Sequence, residues 1–420
     1  MGKIIFDPIH GYIELNDICV SIIDTEEFQR LRDIKQLGAC YFVYPGASHN
    51  RFEHSIGVCH LAGELIENLK RKQPELNISD NLINIIKVAG LCHDLGHGPY
   101  SHTFDNEFIP RINVNMVHHE ERSCMMLRYI VEKYSINLSE IELDTICELI
   151  NPIRKDIKPR YIYNIVSNID NGIDVDKFDY IKRDVYNVGL SYSFDYDRIL
   201  TQARVIDDHI CYPYKSAHSV YQLFMIRYTL HLDVYHHPVV KCIEYMISDF
   251  MKLSEKYLSL SEKIDNPIEF YKITDSIINT VYNLETNDEN IIKAKNIIRD
   301  IKHRNIYKYI GEVIAKKDDS KFYDMGTIYS YIKDSDIYKK INENDLIIEN
   351  LSIGYKNDPV NNVMFYKKGK NIFENIKKET VSTLLPDHFL DNRIRFYCKN
   401  IDKFKLIKQL FTEFSIEYNN

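Results

Sequence analysis

Apolar positions over the first part of the chain recur at helical spacing. In RFEHSIGVCHLAGELIENLK, His54, Val58, Leu61 and Leu65 fall at i, i+4, i+7 and i+11, on one face of a helix. SDNLINIIKVAGLCHD opens with Ser79 and Asp80, a helix-start signal, and carries Leu82, Ile85, Ile86 and Ala89. TLHLDVYHHPVVKCIEYMISDFMKL keeps the helical pattern but breaks at Pro238, whose ring removes a backbone donor. From about Asn266 to Asn344 the chain turns polar, with helical stretches such as NIIKAKNIIRDI. Short β-like pieces follow: DLIIENLSIGY, NNVMFYKK and NRIRFYCK, where Ile394, Phe396 and Cys398 alternate with Arg393, Arg395 and Tyr397. Phe404, Ile407, Leu410, Phe411 and Phe414 mark a last amphipathic helix. The pattern predicts a mainly α protein. A helical body occupies residues 1–300 and a smaller α+β lobe residues 301–420, with no internal repeat and no low-complexity linker.

Composition narrows the class. With 45% hydrophobic and 27% charged residues, 420 residues suffice for a large core. A formal net charge of −8 disfavours a general nucleic-acid partner and leaves local phosphate binding open. Nine cysteines lie singly, without a C-x-x-C pair, which suits a reducing compartment and small buried thiols. The N-terminus has no signal-peptide core, Phe6 stands where a myristoylation site needs Ser or Thr, and no apolar run spans a bilayer. The reading is a soluble intracellular protein.

Fourteen of the sixteen histidines lie at or before His237, so imidazole chemistry belongs to the first part of the chain. LCHDLGHGPYSH crowds His93, Asp94, His97 and His102 between an apolar run and the turn-forming Gly98-Pro99. On a helix, neighbours point about 100° apart and His97 projects between His93 and Asp94, so one ion can touch His93 and Asp94 together, with His97 nearby. Gly96, Gly98 and Pro99 then end the helix. A polar turn with satisfied histidines is the competing reading. His54, on an apolar face, reads either as a buried core histidine or as a further imidazole ligand. In GIDVDKFDYIKRDVYNVG, Asp176, Lys177, Tyr180 and Asp184 share an arc of about 100°, with Asp174 facing away and Asp179 at the flank. That arc is either a solvated face or a site for an ion and an anionic substrate.

If a metal is bound, the set is His54, His93, Asp94 and Asp176. Mixed imidazole and carboxylate donors suit Fe, Mn, Zn or Co and leave positions for water and substrate. A Cys-type structural zinc site and a P-loop are both excluded by the absence of their motifs.

The H…HD…D pattern is that of the HD-domain metal phosphohydrolases. YPGASHNRFEHSIGV, LCHDLGHGPYSHTFD and NGIDVDKFDYIKRD resemble one branch, the SAM- and HD-domain-containing deoxynucleoside triphosphate triphosphohydrolases. The similarity runs from DPIHGYIEL through RNIYKYIGE and VSTLLPDHF to RIRFYCKNID, and the resemblance implies a catalytic core from the first residues without the family's SAM segment. The resemblance implies an HD-domain helical core with His54, His93, Asp94 and Asp176 as metal ligands. Arg51, Lys177 and Tyr180 would contact the substrate phosphates, with Asp184, Arg227 and His231 lining the same pocket. His97, His102 and His119 match imidazoles around the α-phosphate, and Asp105 would orient His102 or His119. Gln36 and Leu37 match residues against the sugar, and Tyr235 the aromatic wall that crowds a ribose 2′-hydroxyl. His236 stands where the family places Gln.

The family's guanine-nucleotide activator site is matched by Lys3, Asp24, Gln29 and Arg32; any one of these alone reads as a surface charge on an N-terminal helix. Arg198, Lys215, Arg304 and Lys308 match part of its second activator site, where Pro213, Asp233 and Pro238 replace other residues. The implied function is metal-dependent dNTP hydrolysis to deoxynucleoside and triphosphate, with water attacking the α-phosphorus and Mg accompanying the nucleotide. GTP or dGTP would activate it, in a dimeric or tetrameric homo-oligomer. An HD phosphohydrolase for a nucleotide monophosphate or cyclic dinucleotide is the enzymatic rival, and a catalytically silent nucleotide sensor or nucleic-acid scaffold the rival from another class. The phosphate set Arg51, Lys177 and Tyr180 favours a triphosphate, and the four ligands favour catalysis.

Overall fold

The computed structural model describes residues 2–112, 118–153, 156, 158–192, 195–316, 321–332 and 339–419. Two long helices form its centre. The Arg51–Lys72 helix opens on a capping box, with Asn50 and Glu53 satisfying each other's backbone N–H, and buries Ile56, Val58, Leu61, Leu65 and Ile66. The Asp80–Cys92 helix starts at Ser79, whose side chain accepts from the Leu82 N–H, and packs Ile85, Ile86, Val88 and Ala89 inward. Both follow the predicted faces. The His119–Tyr134, Glu140–Ile150 and Val175–Val188 helices complete the layer around the histidines. Asp174 caps the last of these, and Gly189 ends it in the left-handed conformation at φ +74°.

The break at Pro238 is where the sequence places it. The Ala217–Leu230 helix runs into a wider turn at His231–Tyr235, and Pro238 then begins the Pro238–Leu258 helix at the position where its missing N–H costs nothing. Among the described residues no helix is long and apolar enough to cross a membrane.

The body also holds strands that the helical reading of its first part passes over. β1 (Lys3–Asp7) and β2 (Gly11–Leu15) form an antiparallel hairpin. Its alternation is too short to stand out: only Ile13 and Leu15 of β2 turn inward. Lys3 therefore sits on a strand and not on an N-terminal helix. β3 (Arg204–Ile206) and β4 (His209–Pro213) form a second hairpin, closed by Asp207 and Asp208 at positive φ.

In the C-terminal part, β5 (Lys308–Ile314) and β6 (Leu346–Gly354) flank β9 (Leu390–Cys398) in an antiparallel sheet, against which the Phe404–Asn419 helix packs Ile407, Leu410 and Phe414. β7 (Met364–Tyr366) instead pairs in parallel with β4 and antiparallel with β8 (Phe373–Glu374). Val360, Val363, Phe365 and Ile376 accordingly join the main hydrophobic core. The C-terminal residues thus divide between two cores, and β6 is carried to the wall of the central cavity. All nine cysteines are free thiols.

Candidate active site

A cavity of about 870 Å³ lies among these helices, within the range of small-molecule sites. His54 and Arg51 reach it from the Arg51–Lys72 helix, and Asp176, Lys177, Tyr180 and Asp184 from the Val175–Val188 helix. The two helices approach closely at Gly57, where a Cβ would stand 1.9 Å from Asp179 Oδ1. The helix carrying the HD pair ends at Cys92, so His93 and Asp94 lie in the turn that follows. The helical projection of His93, Asp94 and His97 is thereby replaced by a turn. Gly96 allows it, since a Cβ there would meet the His119 carbonyl at 2.0 Å.

His54 Nε2 lies 3.1 Å from Asp176 Oδ1 and 3.5 Å from Asp94 Oδ2, and His93 Nε2 lies 3.4 Å from Asp94 and 3.5 Å from Asp176. The other ring nitrogens are already engaged. His54 Nδ1 donates to Asp179 Oδ2 at 2.7 Å and His93 Nδ1 donates to the Gly90 carbonyl at 2.8 Å. Both acceptors lack a proton to give, so each Nε2 presents a lone pair to the cavity. His93 Nε2 is buried with no hydrogen-bond partner among the described residues, so it is free to serve as a cation ligand. The electrostatics agree. Burial alone would depress the His54 imidazole, but Asp176, Asp179 and Asp94 pull it up to about 10, a demand for positive charge between these rings. His54, His93 and Asp176 bring their ligand atoms within 4.8 Å of one another and, with Asp94 beside them, can hold a divalent ion; Asp94, His97 and His119, and His97, His102 and Asp105, are grouped as closely.

Arg51 sits beside this set, Nη1 donating to Asp94 Oδ2 at 2.5 Å and Nε to Ser101 Oγ at 2.8 Å. Lys177 Nζ donates to Asp174 at 2.9 Å. Asp174, which the helical wheel turns away, is the cap of its helix and lines the cavity, because a capping residue leaves the helical path. Arg227 lies 5.3 Å from the ring of Tyr355, and its buried Nε has no partner among the described residues. Burial pushes Tyr180 up to about 12, against the pull of Arg227 and Lys177.

His97, His102 and His119 group next to the metal set, His97 Nε2 lying 3.2 Å from Asp94 Oδ1 and the His97 and His119 rings stacked at 4.0 Å. Burial, then His97 and Arg51, push His102 down to about 3, and burial with His97 and His102 depresses His119 as well. Asp105 stands behind them, 3.5 Å from His97 and 4.0 Å from His119, and is paired with Arg122. Burial would raise its carboxyl, but His97, Arg122 and His119 hold it well below the carboxylate range. Asp105 thus lies nearest His97, with His119 second.

Elsewhere in the cavity wall, Tyr235 donates to Asp184 Oδ2 at 2.6 Å, and His49 Nε2 meets Asp184 Oδ1 at 2.7 Å. Gln36 Oε1 is buried without a partner among the described residues, and Leu37 is beside it in the wall. His236 donates from Nδ1 to the His231 carbonyl at 3.0 Å, so its Nε2 is an acceptor. Glu349, Asn350, Leu351 and Ser352 of β6 close the cavity. The sequence reading missed these residues, along with His49, Ser101 and Asp179. Asp179 had a signal, as the flank position of a motif helix; the β6 residues had none.

The residues matched to activator sites lie outside this cavity. Lys3 Nζ donates to Asp24 at 2.5 Å with both side chains half exposed, and Arg32 donates to Gln29 at 2.8 Å while lying 3.4 Å over the Phe52 ring. Arg198, Lys215 and Lys308 are exposed, and Arg304 donates to the Phe42 carbonyl at 3.0 Å.

The fold and the donor set define an HD-domain protein, and the HD domain family model matches residues 51–184. Full-length similarity goes further. The chain is 39% identical to the deoxynucleoside triphosphate triphosphohydrolase SAMHD1 homolog of Dictyostelium discoideum, over 100% of this chain and 81% of that protein. It is 37% identical to the SAMHD1 enzyme of Homo sapiens (99% of this chain, 74% of that protein) and 39% identical to that of Bos taurus (96% and 76%). The chain belongs to the SAM- and HD-domain-containing deoxynucleoside triphosphate triphosphohydrolase family.

Proposed function

We propose that this chain hydrolyses deoxynucleoside triphosphates to deoxynucleoside and inorganic triphosphate. The observation that carries the reading is the convergence, in one cavity, of His54, His93 and Asp176, clustered closely enough to hold an ion with Asp94 beside them, and of Arg51, Lys177, Tyr180 and Arg227. The names of the full-length relatives support the same activity.

A divalent transition metal (Fe, Mn, Zn or Co) on His54, His93, Asp94 and Asp176 would supply Lewis acidity and a more acidic water at the α-phosphorus. The chain's own residues do the rest. Arg51, Lys177 and Arg227 balance the charge of a triphosphate that arrives with Mg, and Arg51 ties that charge to Asp94. The attacking water gives up one proton and the departing oxygen takes one up; His102 and His119, held neutral by burial, gain basicity beside a phosphate anion and can carry that proton between them. His97 and Asp105 orient that pair. Gln36 Oε1 offers an acceptor to a sugar hydroxyl, and Tyr235, fixed by Asp184, walls off the 2′ position.

Lys3, Asp24, Gln29 and Arg32 form the site for GTP or dGTP in this proposal. Asp24 accepts from the guanine edge, while Lys3 and Arg32 meet phosphate. Such a site couples nucleotide to a dimer or tetramer by mass action. Pro213, Asp233 and Pro238 weaken a second, dNTP-filled activator site beside Arg198, Lys215, Arg304 and Lys308.

The test is to incubate metal-replete protein with each dNTP, with and without GTP, and to resolve products by chromatography. Deoxynucleoside and triphosphate are expected; a monophosphate product or no product from any dNTP overturns the reading.

A further inference from the structure

Residues 273–275 lie about ninety positions beyond the HD family match, yet they clamp the turn that carries the histidines. Asp275 divides its carboxylate between two loops. Oδ2 accepts from the Lys35 N–H at 2.9 Å and Oδ1 from the Tyr100 N–H at 2.6 Å. Its own backbone is tied on both sides, its N–H donating to the Asp33 carbonyl at 3.1 Å and its carbonyl accepting from the Tyr100 hydroxyl at 3.3 Å.

The two loops it joins both reach the cavity. Lys35 precedes Gln36 and Leu37, and Tyr100 precedes Ser101 and His102. Tyr100 and Ser101 are held at φ +60° and +54°, a conformation costly for residues with a Cβ and maintained only by surrounding contacts. Ser101 Oγ then donates to the Lys35 carbonyl at 2.7 Å and accepts from Arg51 Nε at 2.8 Å. Arg51 continues to Asp94 Oδ2. An unbroken chain of hydrogen bonds thus links Asp275 to the metal set and to the cation proposed to meet phosphate.

We propose that Asp275 is a positioning residue of the hydrolytic site, fixing Arg51 and the turn of residues 100–102 through Ser101; this rests on the dNTP-hydrolysing reading of the cavity. Only a carboxylate supplies two acceptors at this point. Asparagine keeps one and turns an NH₂ against the other backbone N–H. Burial pushes the Asp275 carboxyl up to about 7, with Arg51 and Lys35 facing it from one side, Arg30 from another, and Tyr41 and Tyr100 beside it. The ionised form is therefore one that the fold bears at a cost, as a functional arrangement does.

The experiment compares the parent, Asp275→Asn, Ser101→Ala and the double variant for dNTP turnover, urea midpoint and bound metal per chain. Loss of a bond to a charged group predicts kcat per folded chain, without urea, lower by roughly ten- to a hundredfold in Asp275→Asn, with metal content held; the urea midpoint shows that the assay is run on folded protein. Ser101→Ala should lose a comparable factor, and the double variant should lose less than the product of the two, because both cut one chain. Turnover within twofold of the parent in either single variant, or a loss matched by lost folded protein, overturns the inference. If the parent hydrolyses no dNTP, the functional reading fails instead. The inference then stands or falls on inorganic triphosphate affinity by calorimetry, which Asp275→Asn should weaken about tenfold.

Discussion

Replacing Asp179 by Asn tests how the metal set is held. Asp179 is fully buried and its two oxygens serve four donors. Oδ1 accepts from His10 Nε2 at 2.6 Å and from Arg183 at 2.9 Å; Oδ2 accepts from His54 Nδ1 at 2.7 Å and from Arg183 Nε at 2.8 Å. Asparagine retains one acceptor oxygen, so two of the four donors face an NH₂. At about 1.5–3 kcal/mol per bond to a charged group, the loss is roughly 3–6 kcal/mol, in line with about 3–5 for removing half of a buried ion pair. Arg183 keeps only its 2.9 Å contact with Asp7 as an ionic partner among these contacts.

The chemical consequence is separate from the stability loss. If the amide turns its NH₂ to His54, Nδ1 must become the acceptor, the proton moves to Nε2, and the metal lone pair is lost. Metal affinity should fall by about ten- to a hundredfold. Urea unfolding and chelator-competition titration read the two effects. Asp144→Asn is the control: its partner Arg128 is 41% exposed and Asp144 itself 68%, so the change should stay below about 1 kcal/mol. An Asp179→Asn protein that matches the parent in urea midpoint and metal affinity would refute the argument that this carboxylate anchors His54.

Exchanging His93 and Asp94 together for Ala should abolish dNTP turnover and lower metal content by mass spectrometry, while circular dichroism stays near the parent; full activity would remove the metal assignment. dATP should turn over far faster than ATP, and Tyr235→Ala should narrow the ratio chiefly by losing dNTP binding; equal rates for the two nucleotides in the parent would reject the sugar wall. The Asp275 carboxyl is raised to about 7 from an ordinary 3.8, so its contribution to folding is present in full below about pH 4 and is lost as pH rises through 7. Asn does not titrate, so the stability of the parent relative to Asp275→Asn should decline between about pH 4 and 7 and level off above it in urea midpoints; a difference flat with pH would contradict the burial of that carboxyl. Light scattering and turnover across a GTP titration should rise together in the parent and stay flat in Asp24→Ala/Arg32→Ala; no response of mass or rate in the parent would make the activator site vestigial.

Local sequence order determined much of the helical framework. The faces of the Arg51–Lys72 and Asp80–Cys92 helices, the Ser79 cap and the Pro238 break follow from spacing and backbone chemistry that act within a few residues. That His54, His93, Asp94 and Asp176 would come together was equally legible, and the structure brings their side chains within 3.5 Å of one another in pairs. What spacing could not supply was the end of a helix at Cys92, decided by the close approach of Gly96 to the His119 carbonyl. It also could not supply the burial of Asp179 under Gly57, the entry of β6 into the cavity wall, or the hold of Asp275 on a turn 175 residues away. Those contacts join segments far apart in sequence. Hydrogen bonds and close packing between such segments are fixed by the global arrangement of helices, and no periodicity within either segment encodes its partner. The chain alone specified which chemistry it carries, and tertiary packing decided which lone pairs point at one another.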